Sequence, residues 1–386
     1  MRDLVRRIES ATPPGRDRAV DALRALAILG VVLGHWLVTA LVADSGTVRT
    51  ASPLQYMPHL APVSWAFQTL AVFFLVGGYA AARGLDSTRA RGGSYGRWLG
   101  ARLARLSRPV TAVVALWAVV AVLTLASGVG LATVLALVKL VWSPLWFLLV
   151  FAALTAVTPL VRRLHPLWPL ALVLYVDVFR FGLDGPAVLS WINVAAGWLV
   201  PYCLGASWAR ALPGRRAGWG LLLGGSAATA GLVLVAGYPA SMVGVPGAAI
   251  SNLNPPTLAA VTFGLAQCGA ALLLIGPLRR VLRRPAVWAA AALVNLCAMT
   301  VFLWHQTAMI AVTALGLLAG RPLTGLHTPP DGAGWIVARL LWLPLFAAAL
   351  LICRSAFRTY EQPRRPSGGR VVAQGRPAPS EAVRDA

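Results

Sequence analysis

Long apolar runs with few charges, many of them ending at arginines, decide most of what this chain can become. A hydrocarbon core about 30 Å thick takes roughly 20 residues of helix to cross, and runs near that length recur from Arg18 to Arg358 with short polar joints between them. Inside a bilayer the backbone has no water to bond, so each run must satisfy its own N–H and C=O groups by forming a helix. The expectation is an all-α polytopic membrane protein with about ten transmembrane helices. They fall near residues 19–42, 60–82, 109–127, 144–161, 166–181, 188–208, 217–237, 257–276, 297–318 and 333–357. The chain is 58% hydrophobic and only 12% charged, where soluble domains carry about 25% charged residues.

A net charge of +22 raises the question of nucleic acid. Nucleic-acid binders gather arginine on one face of a soluble fold, whereas here the arginines stand in short clusters between apolar runs. That is the positive-inside pattern, and the implied partner is the lipid bilayer, with no nucleic acid. Ten crossings place both termini and every multi-arginine cluster on one side, including seven arginines in residues 83–108. The other side keeps only Arg49, Lys139, Arg180 and Arg321. We therefore expect a multi-pass protein of the plasma membrane with cytoplasmic termini. Residues 1–17 form a cytoplasmic N-terminal segment, 18–358 one transmembrane domain, and 359–386 a disordered, Pro-rich cytoplasmic tail. Trp98, Leu99, Leu103 and Leu106 recur near helical spacing among arginines, which predicts an amphipathic helix along the inner surface. Residues 128–143 read as an outer re-entrant or interfacial segment. The first apolar run exceeds a signal-peptide core and more spans follow, so it reads as a retained helix. The four cysteines lack paired spacing and read as small core residues.

Candidate chemistry begins in the first run, RAVDALRALAILGVVLGHWLVTALVA, whose strongly polar residues beyond Arg18 are Asp21, Arg24 and His35. His35 follows Arg24 by eleven positions. At about 100° and 1.5 Å per residue they share a face and stand roughly 16 Å apart along the axis. An ionisable residue at such depth is costly and usually serves a site. Histidine titrates near neutrality and suits general-base work, although a structural histidine bonding a backbone carbonyl is the plainer alternative. Arg24 is suited to an anionic ligand, or is a topology arginine paired with Asp21 at i,i+3. Asp21 itself is expected to orient Arg24. His305 is either a site residue or a packed core histidine, and His59 either an acceptor contact or a loop residue. Asp177 is expected to pair with Arg180 at i,i+3. Gly77 and Gly78 permit close approach of a helix or a ligand chain. Nothing in the spacing of His, Cys, Asp and Glu points to a metal, and no nucleotidase loop is present.

Several stretches together resemble the integral-membrane acyltransferase-3 family, over residues 18–360. DALRALAILGVVLGHW is similar to its first-helix motif, an arginine and a histidine separated by ten residues, matched at Arg24 and His35. FFLVGGY resembles the FFxxSGF block, with Gly78 at the glycine and Gly77 in place of serine. RLARLSRP resembles the Arg-x-x-Arg loop at Arg102 and Arg105, with Arg105 and Arg108 as the alternative register. SPLWFLLVFAALTAVTPL and VFLWHQTAMI resemble two later blocks, the second matching at His305. One departure stands out: where many members carry a glutamate after Leu-Trp-Phe-Leu, Val150 to Ala153 are apolar.

The resemblance implies a membrane-embedded O-acyltransferase. It would move an acetyl or other short acyl group from acyl-CoA, a donor substrate rather than a bound cofactor, to a hydroxyl of a glycan, glycolipid or glycoside. It implies His35 as the catalytic base and Arg24, Arg102 and Arg105 as donor-binding residues, with His305, His59, Asp21 and Gly78 as further candidates. The alternative, from another class, is a transporter or flippase of a lipid-linked or acidic sugar, which buried arginine and histidine would also suit. No repeated half with paired broken helices, the usual mark of such folds, is visible.

Overall fold

The computed structural model describes residues 2–44 and 46–361, the last four by backbone. A short amphipathic helix, α1 (Arg2–Ser10), leads into α2 (Arg18–Val38). Asp17 caps α2 by accepting a hydrogen bond from the Ala19 amide at 3.1 Å, which satisfies one of the free donors at a helix start. The helix stops at Val38, short of the expected 42. The chain turns there into a two-stranded antiparallel hairpin, β1 (Ala40–Asp44) and β2 (Thr47–Ala51), in the register Ala40 to Ala51. A two-residue connection with Gly46 at φ +80° closes it, and Val42, Val48 and Thr50 supply β-branched side chains that suit a strand. A short apolar run fits a buried strand as well as a helix end, which is why hydropathy overran the boundary.

The next helix, α3 (Leu70–Ala90), starts ten residues after the expected position of the second span. Pro58 and Pro62 break the intervening chain into single turns, Pro58–Leu60 and Ala61–Ser64. The expected surface helix around 97–108 is corrected: it is the first part of one continuous helix, α4 (Tyr95–Ala126), which passes through Pro109. Proline removes one backbone donor, a loss that helices in lipid tolerate. Residues expected to form a re-entrant piece instead build α5 (Leu131–Trp142), which with α6 (Leu145–Ala156) makes one interrupted span. Then come α7 (Leu167–Asp177), α8 (Ile192–Trp208), α9 (Arg215–Leu234), α10 (Leu258–Val281), α11 (Pro285–Leu296), α12 (Ala298–Gly316) and α13 (Ala333–Glu361). Residues 362–386, most of the expected tail, lie outside the described residues.

Eight helical segments among the described residues are long and apolar enough to cross a membrane. Two runs counted toward the expected ten fall outside that set. The helix α3 carries Arg83, Asp86 and Arg89 in its second half, and α7 has only 11 residues before a π-helical turn.

Helix α2 lies among its neighbours, packing on α3, α10, α11, α12 and α13. The tightest approach involving α3 is to α8, and glycine permits it. A Cβ at Gly78 would stand 2.1 Å from the Tyr202 carbonyl oxygen, and one at Gly205 would stand 1.8 Å from that of Leu75. The two backbones touch on both sides of the contact, the small-residue packing that membrane helices use in place of a hydrophobic driving force.

Candidate active site

Helices α2 and α12 run side by side and bring His35 and His305 together. His35 occupies the last turn of α2, whereas His305 stands near the middle of α12. The pair therefore joins the end of α2 to the middle of α12, and the β1–β2 hairpin follows α2 directly. The Trp36 indole donates to the His305 backbone carbonyl at 2.9 Å and ties the two helices at this level. His305 is fully buried, and His35 keeps partial exposure.

The hydrogen bonds fix the tautomers. His305 Nδ1 lies 2.6 Å from the Phe302 carbonyl oxygen, which can only accept, so Nδ1 carries the proton. In the neutral ring the Nε2 of His305 is then a lone pair, and it lies 3.1 Å from His35 Nδ1. His35 Nδ1–H therefore donates to it, with the Val31 carbonyl also facing this ring. The proton-accepting nitrogen of His35 is Nε2. The order carbonyl, imidazole, imidazole presents one basic nitrogen of defined tautomer, and this orienting role of a second group is what a general base requires.

One side of the pair is walled by aromatic rings. Phe302 lies 6.0 Å from the His305 ring and 5.4 Å from Phe147, which packs in turn on Phe73 and Phe74. Trp198 stacks on Phe74 at 5.1 Å. The stretch that lacks the glutamate contributes Phe151, whose ring would lie 2.3 Å from a Cβ at Gly77. Apolar walls lower the local dielectric and strengthen every charge interaction beside the pair.

Sequence reasoning missed Arg339 of α13, a 1%-exposed arginine in an apolar run. No salt bridge to a carboxylate is seen for it among the described residues. Its Nε donates to the Trp36 carbonyl at 2.6 Å, and its Nη2 to the Thr39 carbonyl at 2.6 Å. Its Nη1 donates to the Gly325 carbonyl at 2.8 Å, and Phe346 lies under the guanidinium at 4.7 Å. A cation placed on the last carbonyls of α2 opposes the negative end of the helix dipole and satisfies acceptors the helix cannot. The signal was present as a charge well inside residues 333–357, where the other arginine, Arg354, stands near the end.

At the arginine-rich end, Asp21 takes Arg16 as its nearer partner at 2.5 Å and Arg24 only at 3.8 Å. The expected Asp21–Arg24 pair is thus the looser of the two, and the Arg24 head remains 31% exposed. Arg102 reaches across to α3, donating to the Ala80 carbonyl at 2.9 Å with its guanidinium 5.0 Å from the Trp98 ring. Gly84 makes room, because a Cβ there would stand 2.3 Å from the guanidinium. Arg24, Arg102 and Arg105 lie within electrostatic range of one another. Three sequence-predicted residues are therefore gathered at one end, about three turns of α2 below His35.

Other candidates separate from this constellation. His59 is exposed on the turn Pro58–Leu60. Gly78 is filled by the α8 backbone and serves packing. Asp177 does not pair with Arg180, which donates to Ser190 Oγ at 2.6 Å instead. Its carboxylate accepts from Asn193 at 2.9 Å, Tyr238 at 3.0 Å and the Leu258 amide at 2.6 Å, the last at the start of α10. Three neutral donors and a helix N-terminus satisfy the charge without a cation.

A sequence model of the family described as an acyltransferase domain matches residues 17–357, nearly the whole membrane portion. No curated protein and no solved structure matches the chain.

Proposed function

The chain belongs to the acyltransferase-3 family, and from that premise we propose that it transfers a short acyl group from acyl-CoA to a hydroxyl of a glycan, glycolipid or glycoside. Family membership makes it a membrane acyltransferase and sets the transporter reading aside. The donor, the acceptor and the roles of individual residues are our assignment.

The observation that carries the assignment is the His35–His305 pair with its basic nitrogen at His35 Nε2. His35 Nε2 takes the proton of the acceptor hydroxyl as its oxygen attacks the thioester carbonyl. The tetrahedral intermediate expels the thiolate, and the proton held on His35 passes to that sulfur, leaving an ester, free coenzyme A and a neutral base. His305 holds the His35 tautomer and accepts its Nδ1–H bond throughout. The donor enters from the arginine-rich end, where Arg24, Arg102 and Arg105 meet its phosphates. We assign that end to the cytoplasm of a plasma-membrane protein by the positive-inside rule. The acceptor approaches from the opposite end or laterally.

Two measurements test this reading. Purified protein supplied with acetyl-CoA and candidate glycosides should release free thiol. Mass spectrometry of glycans, lipids and small glycosides from cells with and without the gene should show acyl-ester products in the first set alone. Absence of both thiol release and ester products refutes the proposal.

A further inference from the structure

The arginine-rich end holds a second basic feature that the site above does not use. Arg89 from the last turn of α3, Arg162 and Arg163 from the turns after α6, and Arg210 beyond the end of α8 line one open cleft with Pro159 and Leu160. Its volume is about 480 Å³.

Four guanidiniums from three parts of the chain converge here, and Asp86 is the carboxylate that meets them, at 2.7 Å from Arg162. The cleft is braced around that pair: the Arg210 guanidinium donates to the Arg162 carbonyl, and its other nitrogen donates to Ser207 Oγ at 3.3 Å. Arg162 Nε is buried with no hydrogen-bond partner among the described residues. Arginines that served topology alone would spread into solvent, since like charges held together repel. An arrangement that keeps several forks facing one space suits a ligand with several phosphate oxygens. The cleft also continues a basic line. On α3, Asp86 and Arg89 lie about half a turn and about one and a half turns beyond Gly84, the residue on which Arg102 rests. Tyr95, at the start of α4, donates to the Ala156 carbonyl at 2.5 Å and joins the two groups of arginines at one level.

We propose that this cleft binds the phosphorylated adenosine end of the coenzyme A donor, with Arg24, Arg102 and Arg105 meeting the phosphates nearer the thioester. The inference rests on the acyl-CoA reading. The same phosphate chemistry is offered by anionic lipid headgroups, so the test separates the two sources.

Full-length protein is placed in nanodiscs of neutral phosphatidylcholine, and in matched discs containing phosphatidylglycerol. The wild type is compared with Arg89→Gln, Arg163→Gln and the double variant. Both side chains are exposed and outside the proposed catalytic pair, so the variants should fold. Two readouts are taken: KM and kcat for acetyl-CoA and for acetyl-pantetheine, and direct binding of adenosine 3′,5′-bisphosphate by calorimetry. The proposal predicts that the double variant raises the KM for acetyl-CoA about tenfold or more with kcat little changed. It leaves acetyl-pantetheine kinetics unaffected and loses bisphosphate binding in neutral discs. Added salt should weaken wild-type binding and so narrow its gap to the double variant. Unchanged acetyl-CoA KM and unchanged bisphosphate affinity overturn it, and so does a loss confined to discs containing phosphatidylglycerol, which would make the cleft a lipid site. If the wild type turns over no acyl-CoA, the donor reading fails; the bisphosphate arm still decides whether the cleft is a nucleotide site.

Discussion

His35 Nδ1 and His305 Nε2 meet at 3.1 Å across two helices that are 270 residues apart in the chain. The direction of that bond follows from the carbonyl behind it. Because Phe302 fixes the proton on His305 Nδ1, the two rings act as one unit with a single exposed function.

A unit of this kind is non-additive when dissected. His305→Ala should lower kcat about 10²-fold while moving the acetyl-CoA KM little, since it removes orientation and not donor contact. The double variant His35→Ala/His305→Ala should be no slower than His35→Ala alone. Steady-state kinetics of the three proteins checks this.

Arg24 sits only 3.8 Å from Asp21, which Arg16 already neutralises, and so is free to meet an anion. Arg24→Gln should raise the acetyl-CoA KM about tenfold with a smaller change in kcat. The shift should shrink when acetyl-pantetheine replaces acetyl-CoA, as a competition series with the two donors would reveal.

Arg339 supports the pair from behind through Trp36. Arg339→Leu strands the carbonyls of Trp36, Thr39 and Gly325 in the core, at a cost of about 3 kcal/mol or more. Trp36→Phe loses one bond to the His305 carbonyl and should cost about 1–3 kcal/mol. Thermal unfolding in detergent should rank the two in that order. Trp36→Phe should also slow transfer more than it lowers donor affinity.

Gly78 and Gly205 let α3 and α8 touch backbone to backbone. Ala at either position pushes a Cβ into a carbonyl oxygen, which cannot rotate away as a side chain could. Each should destabilise by about 1–3 kcal/mol. The two together should not simply add, because they separate the same pair of helices. A double-mutant cycle on the unfolding midpoints measures this.

The sequence revealed most about what depends on local composition. Apolar runs and arginine clusters located nearly every helix, and the span expected from residue 297 begins at the break at Cys297 between α11 and α12. Arg24 and His35 were legible together because their separation is a property of one helix. The partnership of His35 with His305 was not, since nothing local encodes which histidine a distant helix presents. The β1–β2 hairpin was lost for a different reason: Ala40 to Ala43 are as apolar as a helix end, and hydropathy carries no period over so short a run. Arg339 could have been noticed as a charge within a span, but its partners are backbone carbonyls, which leave no mark in composition. Asp177 misled through proximity. Arg180 is close in sequence, yet the carboxylate reaches the start of α10 and Arg180 turns to Ser190.

The most direct test is acyl transfer by His35→Ala in protein shown to be folded and membrane-inserted. Donor binding, read by calorimetry with a nonhydrolysable acetyl-CoA analogue, is measured alongside. The account predicts that donor binding survives and that transfer falls by about 10²–10⁴-fold, the range of a lost general base. Transfer at the wild-type rate in folded His35→Ala would contradict it.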